Sequence, residues 1–273
     1  MSVVAGSLGV HGKFVEDLKG NASRSNANDI EGRKDREDFA FDMADFNTIA
    51  SSELQTLVNE SICINSTAFE DKDEEGNLGF VGSKTETALL RFAKELNWAD
   101  YRKVRETAEV VQMIPFSSEL KAMGVVIKRR NKYRLYLKGA SEILTKNCTS
   151  HIAVSQTDKG EGNEVEVTKF TEETMDNISK TIIFYANQTL RTIALCYRDF
   201  ESWPPALAGA GGDGEKTQGE DVPYTLIARD MTLIAVTGIE DPLRPGVREA
   251  VQECQKAGVA VKMCTGDNVL TAR

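Results

Sequence analysis

The sequence predicts an α+β fold in which helices flank an antiparallel twisted sheet, followed by part of an α/β unit. Three features of the 273-residue chain predict it. Alternating strands lie on either side of a turn at 129–132, and apolar residues recur at helical spacing in several segments. A strand–helix–strand pattern then closes the chain. We therefore divide the chain into a first domain over 1–240 and a partial second domain over 241–273.

Three long helices and one short helix, at 141–146, are predicted in the first domain. The first carries apolar residues at three-to-four-residue steps from Ile49 to Ile62, and the second runs from about Lys84 to Leu96. The third runs from about Thr171 to Gln188 and has acidic residues in its first turn, which suits the positive end of a helix dipole. Segments 16–38 and 206–221 are polar or glycine-rich, so we expect exposed loops there.

Five strands are predicted in the same domain. In the third of them, Leu135 and Leu137 point to one face and Tyr136 and Lys138 to the other, because successive side chains alternate along a strand. Residues 1–15 are small and apolar, which is compatible with either a strand or a linker. The predicted strands cover residues 110–114, 123–128, 133–138, 192–198 and 231–238.

The end of the chain, from the strand at 231–238 onwards, has the pattern of a parallel α/β unit. Val247 to Ala257 carries an apolar helical face, and Gly258 is suited to end that helix. The apolar run at 259–264 predicts a strand, and a Thr-Gly-Asp loop follows it. One strand–helix–strand unit cannot complete a sheet, so we expect that most of this second domain is missing.

Composition excludes several classes of function. The net charge of −9 argues against a nucleic-acid surface, which would need basic patches. Five scattered cysteines without a Cys-x-x-Cys pair indicate reduced thiols, and only two histidines are present. A histidine-based metal site or a Ser–His–Asp triad is therefore not expected. No apolar run approaches the roughly 18 residues needed to span a bilayer, so the sequence alone predicts a soluble cytoplasmic protein.

A nucleotide site is one of two interpretations of the strand region. The chain has no P-loop, but Phe116 could stack on a base, Lys121 and Lys138 could meet phosphates, and Gly139 could allow a close approach. Each also has a plain structural interpretation: Phe116 as a core residue, Lys121 as a surface cation and Gly139 as a turn residue. Spacing alone leaves both interpretations open. The glycines of 209–214 match a dinucleotide fingerprint in letters only, because no strand leads into them.

Six segments of the chain together match one protein family. They are Gly82–Leu89, Phe116–Met123, Lys138–Glu142, Leu190–Ala194, Gly238–Arg244 and Thr265–Asn268. In this order they resemble segments of P-type ATPases of the calcium-pump group. Lys138-Gly139-Ala140-Ser141-Glu142 looks like the second nucleotide segment of that family, and Ser141, where proline is common elsewhere in the family, favours the plasma-membrane or vacuolar type.

The resemblance implies a role for each matching residue. Phe116 would stack on adenine, Lys138 and Gly139 would line the adenine cavity, and Lys121 would lie beside the base and the phosphate chain. Glu86 would form a hydrogen bond near the adenine. Arg191 would reach the phosphates, and Met123 would add an apolar wall. The implied nucleotide-binding set is Glu86, Phe116, Lys121, Met123, Lys138, Gly139 and Arg191.

Other matches fall outside the nucleotide site. Asp241 and Arg244 would be hinge residues near the nucleotide, while Thr265, Gly266 and Asp267 would lie on the phosphorylation-site side. By the resemblance, the domain presents ATP with Mg²⁺ to a phosphorylated aspartate and so drives Ca²⁺ transport. Its partners would be the phosphorylation, actuator and transmembrane domains of the pump, in the plasma or vacuolar membrane.

Motifs that the family needs for turnover are absent from this sequence. It lacks Asp-Lys-Thr-Gly-Thr, which supplies the phosphorylated aspartate, and Gly-Asp-Gly-x-Asn-Asp, which helps to hold Mg²⁺. We therefore expect a monomeric fragment, facing the cytoplasm, that binds ATP but does not hydrolyse it, with no catalytic residue and no metal ligand of its own.

Two alternatives come from other classes of protein. A stand-alone nucleotide-sensing or adaptor module would share the site but would not end inside an α/β unit. A soluble hydrolase of the haloacid dehalogenase type would share the Thr-Gly-Asp loop but would need an upstream aspartate nucleophile, which the sequence lacks.

Overall fold

The computed structural model describes residues 1–25, 37–72, 76–155, 165–205 and 221–264. The strands are β1 (Ser2–Leu8), β2 (Gly12–Val15), β3 (Phe39–Asp42), β4 (Phe69–Lys72), β5 (Leu78–Val81), β6 (Glu109–Ser117), β7 (Ala122–Arg129), β8 (Lys132–Ala140), β9 (Cys148–Ile152), β10 (Val167–Lys169), β11 (Arg191–Phe200) and β12 (Met231–Glu240). The helices are α1 (Phe46–Ile49), α2 (Ser52–Cys63), α3 (Lys84–Glu95), α4 (Tyr101–Glu106), α5 (Ser141–Leu144), α6 (Glu172–Asn187), α7 (Tyr224–Ile227) and α8 (Val247–Lys256).

One large, mostly antiparallel sheet organises the fold. Eight strands follow one another in the order β3-β2-β1-β12-β11-β8-β7-β6. Strand β9 also pairs with β12, in parallel, beside the stretch of β12 that β1 leaves uncovered. Strands β2 and β3 form the other parallel pair. The α+β class and the antiparallel sheet with flanking helices are therefore confirmed, and residues 1–15 form two strands of this sheet.

Helices cover both faces of the sheet. On one face, α2, α3 and α4 bury residues such as Leu57, Leu89 and Phe92 against the strands. On the other face, α5 and α6 contribute Leu144 and Ile178 to a second core. Because both faces are covered, the central strands are buried on both sides.

Side-chain caps fix where the predicted helices begin. The hydroxyl of Ser51 accepts a hydrogen bond from the main chain at Leu54, which starts α2, so Ile49 belongs to the separate short helix α1. Ser83 caps α3 and Thr171 caps α6 in the same way. Such caps satisfy amides that the first helical turn leaves without partners.

The predicted alternation along the strand at 133–138 is confirmed in β8. Leu135 and Leu137 pack in the core on the α6 side, while Tyr136 packs on the α2 side. Lys138 points to the same face as Tyr136, as its position two residues later requires. A lysine therefore enters the buried side of the sheet, where it needs a partner.

The charged segment 70–77 belongs to a hairpin that periodicity did not reveal. Strands β4 and β5 form a separate two-stranded sheet, and residues 73–75 between them lie outside the described residues. The Glu70 side chain is buried between Lys94, at 2.5 Å, and Arg102, at 2.9 Å. The hairpin is thereby joined to α3 and α4 and leads directly into the start of α3.

The expectation of an exposed loop over 16–38 is confirmed for most of residues 16–23, which are exposed, and is wrong at Asp38, whose side chain is buried. Arg24 forms an ion pair with Glu240 at 2.9 Å. The Asp38 carboxylate is buried and accepts hydrogen bonds from the side-chain amide of Asn177 on α6. Nδ1 of His11 lies 2.8 Å from the same carboxylate. Polar residues can be buried when partners are present. Residues 26–36, and 206–220 of the second expected loop, lie outside the described residues.

The predicted parallel α/β unit does not form in the described part of the chain. Strand β12 lies between β1 and β11, antiparallel to both. Helix α8 is present, but residues 259–264 are exposed and have no strand structure. The strand prediction is wrong here because a strand needs a neighbour to pair with, and this run has none among the described residues. None of the described helices is long and apolar enough to cross a bilayer.

Candidate functional site

A cavity of about 590 Å³ opens where β7, β8, β11 and the start of α3 meet. The antiparallel pairing brings the loop 118–121, the end of β8 and the start of β11 together at the same end of the sheet. All seven residues of the implied nucleotide-binding set line this cavity: Glu86, Phe116, Lys121, Met123, Lys138, Gly139 and Arg191.

A buried ion pair lies in the wall of the cavity. The Lys138 ammonium is 3.2 Å from a carboxylate oxygen of Glu86, and the two side chains are only 5% and 7% exposed. The same ammonium also donates a hydrogen bond to the main-chain carbonyl of Asn65. Burying either charge without the other would be strongly unfavourable, so the two residues have to be considered as a unit.

The Glu86 carboxylate is held by the segments on either side of it. The Ser83 hydroxyl donates to it at 2.8 Å and also accepts a hydrogen bond from the Glu86 main-chain amide at 3.3 Å, so one serine both caps α3 and orients the acid. The Thr67 amide donates to it from the other side at 2.9 Å. The carboxylate is therefore fixed before any ligand binds.

The surroundings of the pair decide the charge of each group. Burial raises the pKa of the Glu86 carboxyl, but Lys138 and the donated hydrogen bonds outweigh burial and hold this pKa below its usual value. Burial lowers the pKa of the Lys138 ammonium to about 8, although Glu86 opposes that shift. At neutral pH the acid is ionised and the lysine is mostly charged.

Asn65 is a site residue that the sequence did not reveal. It follows α2 and is fully buried, and its side-chain amide donates to the carbonyls of Met123 at 3.3 Å and Tyr136 at 3.5 Å. These hydrogen bonds attach the segment after α2 to β7 and β8 and bring the Asn65 carbonyl to Lys138. Only the end of a helical pattern near residue 63 could have pointed to it.

Phe116 and Met123 form the apolar part of the cavity. Phe116 is 62% exposed at the end of β6, which excludes the interpretation of this ring as a core residue. A large exposed ring in a cavity wall is available for stacking. Met123, by contrast, is buried on β7 and is part of the packed wall.

The structure explains the glycine at position 139 by strand packing, whereas the sequence suggested close approach of a ligand. A Cβ atom at this position would lie 2.4 Å from the Lys121 carbonyl oxygen and 2.8 Å from the Cα of Ala122. Glycine is therefore needed for β7 and β8 to approach each other, rather than for a ligand to approach β8.

Lys121 itself is exposed and adopts a left-handed conformation with φ of 49°. Its carbonyl accepts the amide of Ala140 at 3.0 Å.

Comparison with known proteins gives the family. The model of the P-type ATPase cytoplasmic domain N matches residues 53–246. The chain belongs to the P-type ATPase family and covers its N domain. It is 71% identical, over its whole length, to Calcium-transporting ATPase 2 of Cryptococcus neoformans, and 39% identical over 81% of its length to Calcium-transporting ATPase PAT1 of Dictyostelium discoideum. It spans 19% and 17% of the lengths of these two relatives.

The N domain does not bring the implied hinge residues to the cavity. Asp241 and Arg244 follow β12 and are exposed, and neither lines the cavity. Thr265, Gly266 and Asp267 lie outside the described residues. In the described part of the N domain, no three histidine, cysteine or acidic side chains are grouped as metal ligands would be.

Proposed function

We propose that this N domain binds ATP in the cavity. Within a complete pump, it would present the γ-phosphate of that ATP to an aspartate carried elsewhere in the pump. The observation that carries the proposal is the convergence of the seven residues on one cavity from four separate segments of the chain. Phe116 stacks on the adenine, and Glu86 with Lys138 borders the base. Met123 and Gly139 belong to the wall that holds the base in place.

The phosphates are assigned to Lys121 and Arg191. The charge of Lys138 is matched by Glu86 at 3.2 Å, so this lysine adds little net positive charge to the cavity. Lys121 is exposed at the rim and Arg191 is half-buried at the start of β11, and both line the cavity. Cations in these positions would offset phosphate charge. Mg²⁺ would accompany the phosphates, with ligands mostly outside the described residues.

Calcium transport is proposed from the relatives. Several of them are named calcium-transporting ATPases, and the names of relatives from Arabidopsis thaliana and Rattus norvegicus include the plasma membrane. We infer that the N domain is a cytoplasmic part of a calcium pump in the plasma or vacuolar membrane, and that its partners are the phosphorylation, actuator and transmembrane domains of that pump.

The segment 241–273 is proposed as the hinge and a part of the phosphorylation domain. Asp241 and Arg244 form the hinge, and Thr265, Gly266 and Asp267 belong to the phosphorylation-site side. Two exposed apolar residues support this assignment: Leu243 is 75% exposed and Met263 is 72% exposed. Val247, Val259 and Val261 are also exposed, and several large apolar side chains exposed in one segment favour packing of that segment against another part of the protein.

Calorimetric titration of the chain with MgATP tests the proposal. We expect saturable binding with a dissociation constant in the micromolar to millimolar range, because a part of the phosphate contacts comes from other domains. A parallel assay of phosphate release should show no turnover. Absence of binding at millimolar nucleotide would overturn the proposed function, and genuine ATP hydrolysis would overturn the assignment of the acceptor aspartate to another part of the pump.

A further inference from the structure

Ser141 and Thr192 are joined by a short hydrogen bond beside the cavity. The Ser141 hydroxyl donates to the Thr192 hydroxyl at 2.6 Å. Ser141 is fully buried, while Thr192 is half-buried and lines the cavity. The family resemblance marks Ser141 only as a sign of pump type, and the proposed nucleotide contacts give it no role.

The bond lies where the pairing of two cavity strands ends. The register of β8 and β11 runs as far as Ala140 opposite Ile193. One residue further along, the chain turns away from the sheet into α5 at Ser141. The hydrogen bond between the two side chains therefore extends the connection of these strands by one residue beyond their last main-chain pair.

This extension lies next to Arg191, the residue assigned to the phosphates. Arg191 is the first residue of β11, and Thr192 is the second. On its other edge, this end of β11 is paired with β12, where Arg191 faces Ile239. On the β8 side, main-chain pairing holds β11 from Ile193 onwards, and the Ser141–Thr192 bond adds a side-chain contact one residue closer to Arg191.

We propose that Ser141 is a positioning residue that, through Thr192, sets the place of Arg191 relative to the rest of the nucleotide cavity. The proposal rests on the proposed function, since it assumes that Arg191 contacts phosphate. Loss of either hydroxyl removes this side-chain contact, so the start of β11 is held less firmly on the β8 side, next to Arg191.

A small set of variants of the 273-residue chain tests the proposal. Ser141→Ala and Thr192→Val each remove one hydroxyl and keep a shape that the site accommodates, and the double variant removes both. Thr192→Ser keeps the hydroxyl and is the conservative rescue. Ser61→Ala is the matched control, because Ser61 is also buried and donates a 2.7 Å hydrogen bond, to Val58, but lies outside the cavity.

Two ligands separate positioning from general loss of structure. ATP reports on the base and the phosphates, whereas adenosine reports on the base region formed by Phe116, Glu86 and Lys138. We expect each single variant to weaken ATP binding about three- to tenfold, the effect of one lost hydrogen bond, and the double variant to lose no more than that. Adenosine affinity should change less than about twofold, and both Thr192→Ser and Ser61→Ala should bind ATP like the parent.

The outcomes distinguish this inference from the proposed function. If the parent chain binds ATP and the single variants bind it equally well, only the positioning role is overturned. The role is also overturned if adenosine affinity falls as much as ATP affinity, or if the two single effects add fully in the double variant. If the parent binds no ATP, the proposed function fails and this inference fails with it.

Discussion

The Lys138 ammonium lies 3.2 Å from the Glu86 carboxylate, and this buried contact in the cavity wall joins strand β8 to the first turn of α3. The two residues are 52 positions apart in the sequence. The two opposite charges cancel in the cavity wall. The contribution of the pair to the free energy of unfolding, and the pH dependence of that contribution, can be measured separately from ligand binding.

Replacing Glu86 with glutamine should destabilise the fold. The variant keeps the size of the side chain but leaves Lys138 without its counter-charge, and it removes a carboxylate that accepts several hydrogen bonds. Hydrogen bonds to charged groups contribute about 1.5–3 kcal/mol, so we expect the free energy of unfolding in urea at pH 7 to fall by about 2 kcal/mol. Glu95→Gln, at the exposed end of the same helix, should change it by less than about 0.5 kcal/mol. Equal stability of the two variants would show that the Glu86 contacts contribute little.

Lys138 should titrate near pH 8. Nuclear magnetic resonance of its side chain should give a pKa of about 8, and a lower pKa in Glu86→Gln, because Glu86 opposes the effect of burial. A pKa at the ordinary value of 10.5 in the parent would contradict the burial of this ammonium.

The same titration has a consequence for stability. Between pH 8 and 10.5, the unfolded chain keeps the Lys138 proton and the folded chain releases it, so rising pH favours the folded state in this window. The free energy of unfolding of the parent, relative to that of Lys138→Met, should therefore rise with pH above 8, by at most about 1.4 kcal/mol per pH unit. A difference that is constant or falls over this window would contradict the lowered pKa.

Removing the Phe116 ring should affect binding far more than stability. The ring is 62% exposed, so Phe116→Ala removes few packing contacts. Stacking of a base on an aromatic side chain contributes about 1–3 kcal/mol in nucleic-acid complexes, so we expect ATP affinity measured by calorimetry to fall about tenfold or more. Phe116→Trp should retain binding. Val110→Ala, at the far end of the same exposed strand, is the control and should bind ATP normally.

Adding one methyl group at Gly139 should destabilise the pairing of β7 and β8. The new Cβ atom would lie 2.4 Å from the Lys121 carbonyl oxygen, which belongs to the main chain and cannot move without shifting β7. We expect Gly139→Ala to lower the free energy of unfolding by about 1–3 kcal/mol. Gly79→Ala is the matched control, since no atom lies within 4 Å of its added Cβ. If the two variants were equally stable, strand spacing would not be the reason for glycine at 139.

Periodicity predicted the elements that depend on local sequence. The helices capped by Ser83 and Thr171 and the alternation of Leu135 with Tyr136 along β8 follow from patterns a few residues long. The hairpin β4–β5 was missed because its strands are four residues each and the residues of β4 are mostly charged. The strand expected at 259–264 was wrong because a strand also requires a pairing partner.

The residues of the candidate site were named one by one only through the family resemblance, and the buried contacts that hold them in place were not predicted. Asn65 gives no signal in the sequence because its hydrogen-bond acceptors, Met123 and Tyr136, are 58 and 71 residues away. Lys13 is similar: it is fully buried and donates to Asn177 at 3.2 Å and to Thr181 at 2.9 Å, on a helix more than 160 residues later. Burial of a lysine contradicts its usual preference, so only the folded arrangement reveals such contacts.

The central claim is that ATP occupies the cavity between β7, β8, β11 and α3. It is tested most directly by adding ATP, to millimolar concentration, to the isotopically labelled chain and following its amide resonances. We expect saturable shifts at Phe116, Lys138 and Gly139, with little change at control positions on α6 such as Ser179. Spectra that stay unchanged, or shifts that cluster away from the cavity, would contradict the account.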